Sequence, residues 1–563
     1  MKKPLPIGVE NYKEIIEQGY YYVDKTLLIR ELLDRKGKVT LFTRPRRFGK
    51  TLALSTLQTF FEREYGRDGT YVDNSVYFAG KKILDTGEKY TKEMGQYPVI
   101  SLSLKSARQP DYEMAYDSLL GEIRREYDRH SYILAGDALT EPDRVQFQAV
   151  QNRTACSADY AGALEFLSRC LEKYHGQKVI LLLDEYDVPL ENAYLRGFYT
   201  QMTDFIRALF ESALKTNSSL LFAVITGCLR ISKESIITGL NNLETVSILN
   251  VDYAEYFGFT QPEMDDMLAV YGLSDKKKEV KDWYDGYLFG RTEVYNPWSA
   301  ISYVRTAATD DQAYPRPYWS NTSSNSIIRE LVEEADSATR DEIETLIAGG
   351  TVEKAVHEEI TCGDIHESRE NLWNFLFFTG YLKLTGTRFD GLNIYLTMAI
   401  PDEEVRYIYQ NTIVTWFEGK LRKTDFTPLR KAIEQGDGEA FGTFVSGQLM
   451  DTISFFDYAE NYYHGFLVGL LQAVGSYQVE SNREAGNGRP DIVLRELRFR
   501  GRSAVIEIKV AENFAEMETK CREALNQIRA LNYDHELLRD GYQVPVKFGV
   551  CFYKKGCLVR CEK

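Results

Sequence analysis

The sequence predicts an α/β protein with a parallel sheet near its start and a second α/β domain near its end. Three apolar segments of the first 240 residues, at 39–43, 178–187 and 220–225, alternate with stretches of helical leucine spacing. Such alternation is typical of a parallel sheet with crossover helices. Two further β-prone segments, 491–494 and 505–510, follow one another near the end of the chain and indicate a second sheet.

The length of the chain, 563 residues, exceeds what one hydrophobic core normally holds, so we expect several domains. We place a phosphate-loop core at 1–240, a helical lid at 241–345, a connector at 346–440 and a final α/β domain at 441–563. Hydrophobic residues make up 44% of the chain and charged residues 27%, as in ordinary globular proteins. This composition does not indicate a disordered chain.

The segment 39–57, VTLFTRPRRFGKTLALSTL, predicts a strand, a tight loop and a helix. Backbone N–H groups that converge at a helix N-terminus bind phosphate. Three residues of this loop would supply such groups: Arg47, Phe48 and Gly49. Lys50 would then reach the β- and γ-phosphates of ATP, and the hydroxyl of Thr51 would bind Mg²⁺. The segment departs from the usual pattern G-x-x-x-x-G-K-[ST], because Arg44 stands where the first glycine is expected.

A second motif is the apolar segment KVILLLDEYD at 178–187, which ends in acidic residues. Continuous apolar residues suit a parallel strand covered on both faces, and ligands bind at the carboxyl ends of such strands. The segment is therefore typical of a Walker B strand. We expect Asp184 to hold Mg²⁺ and Glu185 to polarise the water that attacks the γ-phosphate.

The third apolar strand, 220–225, ends at Thr226 and is followed by Arg230. Thr226 could sense the γ-phosphate, and Arg230 could neutralise charge that develops in phosphoryl transfer. A plain turn with a surface arginine is an equally open alternative. Upstream of the loop, the segment YYVDKT at 21–26 either lines a base pocket or packs and caps the next helix.

Aromatic residues are concentrated at 283–287 and 295–298, on either side of a Gly-containing turn. We expect these rings to close a loop and pack a small helical lid. A stacking platform for bases is the second hypothesis.

The last domain contains another set of chemically active side chains. Alternation along 505–510 places Glu507 and Lys509 on one face, and pairing with the preceding strand would bring Asp491 beside them. We expect Asp491 and Glu507 to bind metal and Lys509 to orient or deprotonate the water that cleaves a phosphodiester. Glu480 could add a ligand. Taken alone, an E-x-K pair on a strand is commonly a surface ion pair.

The net charge of −15 is distributed unevenly along the chain. Residues 1–60 carry 12 Lys and Arg against 6 Asp and Glu, and residues 480–563 carry 16 against 13. The acidic excess therefore lies in the middle, and both ends could meet a polyanion. The N-terminal residues lack an apolar signal region, and no apolar run reaches the ~18 residues of a membrane span. We expect a cytoplasmic protein without a membrane partner.

Together these motifs resemble bacterial and archaeal proteins that join an AAA-ATPase-like N-terminal domain to a C-terminal domain of the PD-(D/E)xK nuclease superfamily. The resemblance covers nearly the whole chain. The segments that carry it are YYVDKT at 21–26, RPRRFGKT at 44–51, LLLDEYD at 181–187, TGCLRISKESI at 226–236, WYDGYLFG at 283–290, VYNPWS at 294–299, YYHGFLVGLL at 462–471, ESNREAGNGRPDIVL at 480–494, EIK at 507–509, and Gln527 with Tyr533.

The resemblance implies a P-loop NTPase fold of the AAA type, followed by a restriction-endonuclease-like fold. It implies ATP and Mg²⁺ as cofactors, with Lys50 and Thr51 binding the nucleotide. Asp184 and Glu185 would serve Mg²⁺ binding and hydrolysis, and Arg230 would act as a sensor. The four residues assigned to nuclease chemistry are Glu480, Asp491, Glu507 and Lys509.

The sequence thus predicts a hydrolase, an ATP-dependent or ATP-gated nuclease whose partner is nucleic acid, with DNA favoured over RNA. A role in defence or in the processing of mobile DNA is inferred from the architecture alone. Because AAA-like sites are often completed across subunits, a homo-oligomer is also considered. Two alternatives are a nucleotide switch that binds nucleic acid or a partner without cutting, and an ATPase that remodels a protein.

Overall fold

The computed structural model describes residues 2–66, 69–229, 241–319, 328, 336–356, 369–391, 393–412, 424–450, 460–481, 490–498, 500–533 and 535–563. The chain forms two compact units. Unit 1 consists of Met1–Ser324 and Thr351–Tyr407, and unit 2 of Asn325–Gly350 and Ile408–Lys563. The finer division into four domains stays a prediction.

Unit 1 contains twelve described strands, which in chain order are β1 Val39–Thr43, β2 Glu64–Tyr65, β3 Tyr71–Val72, β4 Val99–Ser103, β5 Val179–Asp184, β6 Leu220–Gly227, β7 Leu243–Val246, β8 Tyr287–Phe289, β9 Thr292–Val294, β10 Val352–Ala355, β11 Lys383–Asp390 and β12 Asn393–Ala399. Its described helices are α1 Tyr12–Glu17, α2 Leu27–Arg35, α3 Lys50–Phe61, α4 Glu88–Thr91, α5 Tyr112–Arg129, α6 Glu141–Gln151, α7 Ser157–Ala161, α8 Ala163–His175, α9 Val188–Arg196, α10 Tyr199–Phe210, α11 Gln261–Tyr271, α12 Lys277–Tyr284 and α13 Pro297–Ala307, with α15 Arg369–Phe378 following later in the chain.

The main sheet of unit 1 is parallel, in the order β4-β5-β6-β1-β7. Strands β1 and β5 are buried along their whole length, as expected for apolar strands with both faces covered. The register pairs Thr43 with Gly227 and Ser103 with Asp184. The carboxyl ends of four strands therefore meet at one edge of the sheet, which is where the phosphate loop begins.

Two features of unit 1 differ from the sequence-based expectation. Strand β7, which pairs in parallel with β1, was not predicted because its four residues, LETV, are too few and too polar to show a periodicity. The aromatic segment 283–298 was expected to form a loop, whereas the structure places the hairpin β8–β9 there, between helices α12 and α13. Its two strands are only three residues long, which is too short to show alternation.

The described strands of unit 2 form a five-stranded mixed sheet in the order β13-β14-β15-β16-β17, and among them only the β15–β16 pair is parallel. Its strands are β13 Tyr477–Ser481, β14 Ile492–Glu496, β15 Ser503–Val510, β16 Val546–Tyr553 and β17 Gly556–Glu562. Its described helices are α14 Ser337–Ile347, α16 Thr427–Gln435, α17 Gly438–Met450, α18 Glu460–Ala473, α19 Met517–Ala530 and α20 His535–Arg539.

The two faces of this second sheet pack against different helices. Ile492, Ile506 and Ile508 belong to a core with helices α16 to α18. Val493 and Val505, on the opposite face, pack against α19. The alternation predicted for β15 is thus confirmed, and it turns the odd-numbered side chains toward α19. None of the helices in the described part of the chain has the length and apolar character required to cross a lipid bilayer.

Candidate functional site

The phosphate loop connects β1 to α3 at the carboxyl edge of the parallel sheet. Its backbone is left-handed at Arg47 (φ 73°) and at Gly49 (φ 82°), which is the N-cap of α3. Glycine suits the second position because this conformation disfavours other residues. The Nζ of Lys50 donates to the carbonyls of Arg44 and Pro45, each at 2.9 Å. The lysine therefore lies over the loop, as the motif predicts.

Arg44 occupies the position where the usual pattern has its first glycine, and its side chain has a structural role there. The side chain is fully buried, and its Nη1 donates to the carbonyl oxygens of Thr43 at 3.0 Å and Val246 at 2.8 Å. The guanidinium lies 5.2 Å from the ring of Phe257 and 5.1 Å from that of Phe289. Burial lowers the pKa of Arg44 to about 9. Arg44 thus anchors the end of β1 to β7 and packs into the core.

Asp184, at the end of β5, lies between two hydroxyl groups. Thr51 Oγ1 donates to its Oδ2 at 2.7 Å, and Thr226 Oγ1 donates to its Oδ1. The structure therefore brings together three residues predicted to act at one site. A hydroxyl next to a carboxylate is a ligand pair that suits Mg²⁺, which prefers oxygen donors, so these residues fit that ion.

The two acids that follow Asp184 have different environments. Glu185 has a positive φ of 51° and lines the cavity described below. Burial, and then the neighbouring Asp184, raise its pKa. Asp187 is buried and accepts from the amides of Cys228 at 2.6 Å and Leu229 at 3.1 Å. Glu185 is thus available for chemistry, while Asp187 holds the turn after β6.

A cavity of about 350 Å³ lies beside the loop within unit 1. This volume falls within the range of small-molecule sites. One part of its lining is polar: Arg46, Arg47, Lys50, Thr51, Lys105, Arg108 and Glu185. Another part is apolar or aromatic: Tyr21, Tyr22, Val23, Leu28, Met267, Trp298 and Ile301. The structure therefore places residues of the segment YYVDKT on the cavity wall. This agrees with the interpretation in which the segment lines a base pocket.

Two loop residues contact the aromatic segment instead of remaining free. The guanidinium of Arg47 lies 4.5 Å from the ring centre of Trp298, a favourable cation–π contact. The ring of Phe48 is buried against Tyr287 and Phe289, with centroids 4.9 and 5.2 Å away. Phe48 lines the cavity, but its ring mainly joins the loop to the hairpin. Arg230, the predicted sensor, lies outside the described residues.

A second cluster lies in unit 2, on the face of the sheet that α19 covers. Asp491 Oδ2 accepts from the backbone amide of Ile508 at 2.7 Å. Glu507 Oε1 accepts from Lys509 Nζ at 3.3 Å and from Gln527 Nε2, which α19 contributes. The structure thus brings Asp491, Glu507 and Lys509 together, as predicted from the strand alternation.

Glu507 has an unusual environment for a carboxylate. It is only 2% exposed, and among the described residues its Oε2 has no hydrogen-bond partner. Burial, and then the charge of Asp491, raise the pKa of Glu507 to about 7, although Lys509 opposes the shift. A buried oxygen without a donor fits a site for a divalent cation, since Mg²⁺ often binds one or two carboxylates together with water and phosphate.

Glu480 does not join this cluster through a described contact. It faces the same side of the sheet, because it pairs with Val493 in the register, but its carboxylate lies 3.4 Å from Arg495 Nε and accepts from Gln478 Nε2 at 3.1 Å. Across the described ranges, no group of three or more His, Cys, Asp and Glu residues is arranged to hold a metal. Protein ligands for a metal here would therefore be Asp491 and Glu507.

His464 was not singled out in the sequence, yet it contacts this site from α18. Its Nε2 lies 3.0 Å from the carbonyl oxygen of Asp491 and 3.0 Å from Ser481 Oγ. A carbonyl can only accept, so the contact with Asp491 is a hydrogen bond in the tautomer that carries the proton on Nε2. His464 in this tautomer holds the backbone of Asp491 in place. It belongs to the segment YYHGFLVGLL, which carries the family resemblance, but nothing in that segment indicated the contact with Asp491.

The two folds and their sites define a class of protein, a P-loop ATPase-like domain joined to a nuclease-like domain. Comparisons with known protein families agree with this division into an ATPase-like and a nuclease-like domain. Residues 6–237 match the family model described as predicted AAA-ATPase, and residues 458–562 match the PD-(D/E)XK nuclease superfamily. The chain thus carries one domain of each family.

Two similar proteins extend the comparison. An uncharacterized protein encoded in the vnfD 5′ region of Azotobacter chroococcum mcd 1 is 27% identical over 407 residues, which is 72% of this chain and 69% of that protein. The Walker-type ATPase PABY2304 of Pyrococcus abyssi matches 72% of this chain and 98% of its own, with 12% identity and a TM-score of 0.36.

Proposed function

We propose that this protein binds ATP and is an ATP-dependent or ATP-gated, metal-dependent nuclease. The observation that supports the nuclease activity is the grouping of Asp491, Glu507 and Lys509, in which one buried oxygen of Glu507 has no hydrogen-bond donor among the described residues. Phosphodiester hydrolysis requires metal-binding oxygens and a cation near the developing charge. This cluster contains both.

ATP binding is supported by the charge of the cavity in unit 1. Among the described residues of its lining, six are cationic, Lys25, Arg46, Arg47, Lys50, Lys105 and Arg108, whereas two are acidic, Glu10 and Glu185. Such an excess of positive charge suits a triphosphate, and the tyrosines and Trp298 provide apolar contacts for a base. Lys50 would contact the β- and γ-phosphates, and Thr51 with Asp184 would hold Mg²⁺.

At the nuclease-like cluster, a divalent metal would supply a Lewis acid and a water of lowered pKa. The residues of the chain would do the rest. The amide of Ile508 holds Asp491 in place, and Gln527 orients Glu507. Lys509 would position the attacking water and stabilise negative charge on the phosphate. Nucleic acid, with DNA favoured, would be the substrate, in defence or in the processing of mobile DNA.

The test is a cleavage assay with the full-length protein on plasmid, linear duplex, single-stranded DNA and RNA, with Mg²⁺ or Mn²⁺ and with or without ATP. Asp491→Asn, Glu507→Gln and Lys509→Met should each abolish cleavage. Lys520→Met is the matched control, because Lys520 pairs with Glu523 on the surface of α19. Cleavage that persists in all three variants would reject the assignment of the nuclease site to these residues.

A non-cleaving nucleotide switch is the second candidate, favoured by the position of Glu480. Its carboxylate is paired with Arg495, so the cluster has fewer acidic ligands than predicted. Such a switch would bind ATP and nucleic acid, and no divalent metal would produce cleavage. Lys50→Ala, which should abolish ATP binding, would then change nucleic-acid affinity without changing product formation.

A further inference from the structure

Two arginines on the wall of the nucleotide cavity share one carboxylate. Arg46 Nη2 lies 2.5 Å from Glu191 Oε2, and Arg108 Nη2 lies 3.8 Å from the same oxygen. Both arginines line the cavity. The three residues come from different segments: the phosphate loop, the turn after β4 and the first turn of α9. All three segments leave the carboxyl edge of the parallel sheet, where ligands of such sheets bind.

The pairing of Arg108 with Glu191 is weak enough to be exchanged, whereas Arg46 pairs with the same carboxylate at 2.5 Å. The side chain of Arg108 is 52% exposed, and at 3.8 Å from its partner it forms a solvent-screened ion pair, a kind that contributes only about 0–1 kcal/mol. A phosphate carries more charge than a carboxylate, and its oxygens accept paired hydrogen bonds from a planar guanidinium. A phosphate that entered the cavity next to Arg46 and Arg108 would therefore compete well with Glu191.

We propose that Arg46 and Arg108 together bind the terminal phosphate of a nucleoside triphosphate, and that Glu191 holds both guanidinium groups in place when that phosphate is absent. The inference rests on the proposed ATP binding. It goes further because it names Arg46 and Arg108 as the residues that distinguish a nucleoside triphosphate from a diphosphate. Lys50 contributes less to that discrimination, since a P-loop lysine contacts the β- as well as the γ-phosphate. The arginine pair contacts only the phosphate that distinguishes the two nucleotides.

Glu191 has a second effect in this arrangement. Without a nucleotide it compensates two positive charges that would otherwise repel one another beside Lys50. With a triphosphate bound it competes for the same guanidinium groups and weakens binding. Replacing its charge should therefore strengthen triphosphate binding while leaving diphosphate binding nearly unchanged.

The experiment is calorimetric titration of the full-length protein with Mg²⁺ and either ADP or a non-hydrolysable ATP analogue. Arg108→Ala should weaken binding of the analogue about tenfold, the effect of losing one charge-assisted contact, and change ADP binding less than about twofold. Arg108→Lys should give an intermediate loss, because an ammonium cannot form the paired contact. Glu191→Gln should strengthen binding of the analogue alone.

The matched control is Arg124→Ala, because Arg124 is 49% exposed and pairs with Asp128 on α5, away from the cavity lining. It should leave both affinities unchanged. An unaltered ratio of analogue to ADP affinity in Arg108→Ala and Arg46→Ala, in a wild type that binds both nucleotides, would overturn this inference alone. A wild type that binds neither nucleotide would overturn the proposed ATP binding and the inference with it.

Discussion

Replacing Glu507 by glutamine should stabilise unit 2 at alkaline pH, at the expense of activity. An unfolded chain releases the proton of this carboxyl near the ordinary pKa of 4.5, whereas the folded protein holds it until about pH 7. Between these values the folded state binds more protons, so stability falls as the pH rises through the window and stays reduced above it. The charge of Glu507, which the proposed function requires, thus lowers the free energy of unfolding above pH 7.

The magnitude follows from the two pKa values. The difference between 4.5 and about 7, at about 1.4 kcal/mol for each tenfold change in proton affinity, corresponds to a cost of about 3 kcal/mol above pH 7. Glutamine has nearly the same shape and cannot be charged. Its amide nitrogen would replace Oε2, which has no hydrogen-bond partner among the described residues. One unsatisfied polar atom is then buried in both proteins, so its free-energy cost largely cancels in the comparison.

Scanning calorimetry of the full-length protein in EDTA at pH 4.5 and pH 8 measures the effect. At pH 8 the transition of unit 2 should rise by about 6–12 °C in Glu507→Gln, because about 2–4 °C per kcal/mol is typical for a unit of this size. At pH 4.5 the two proteins should melt together. The control Glu512→Gln, at an exposed acid, should show no difference. Equal melting of Glu507→Gln and wild type at pH 8 would refute the reasoning.

Three further substitutions test individual contacts. Gly227→Ala should destabilise unit 1 by about 1–3 kcal/mol in denaturant unfolding, because the methyl group of the alanine would lie 2.6 Å from the ring of Tyr186. Equal stability of the variant and the wild type would show that the ring moves aside without a cost in free energy. Phe48→Ala should lower the free energy of unfolding of unit 1 by about 3–5 kcal/mol and weaken nucleotide binding, because the ring joins the phosphate loop to the hairpin β8–β9. Unchanged ADP affinity would show that Phe48 does not contribute to nucleotide binding. His464→Ala should slow cleavage about 10- to 100-fold and raise the Mn²⁺ concentration that cleavage requires. His464→Gln keeps a donor toward Asp491 and should recover part of the rate. Equal rates and equal Mn²⁺ dependence in the two variants would contradict a positioning role for His464.

Those parts of the fold that depend on local periodicity could be predicted from the sequence. The continuous apolar run of β5 predicts a covered strand, and its last residue, Asp184, lies at the expected edge. The alternation in β15 places Glu507 and Lys509 on one face. In the structure Lys509 donates to Glu507, and the amide of Ile508, between these two residues, donates to Asp491. Both inferences work because the direction of neighbouring side chains on a strand is set by backbone geometry alone.

The tertiary structure decided which long side chains meet. Arg44 bonds to a carbonyl 202 residues away, so its direction depends on β7, a strand too short to predict. Glu480 pairs with Arg495, and Glu191 gathers Arg46 and Arg108 from two other loops. A flexible charged side chain can reach several partners at similar free energy, and the one it binds is determined by which distant segments folding places within its reach.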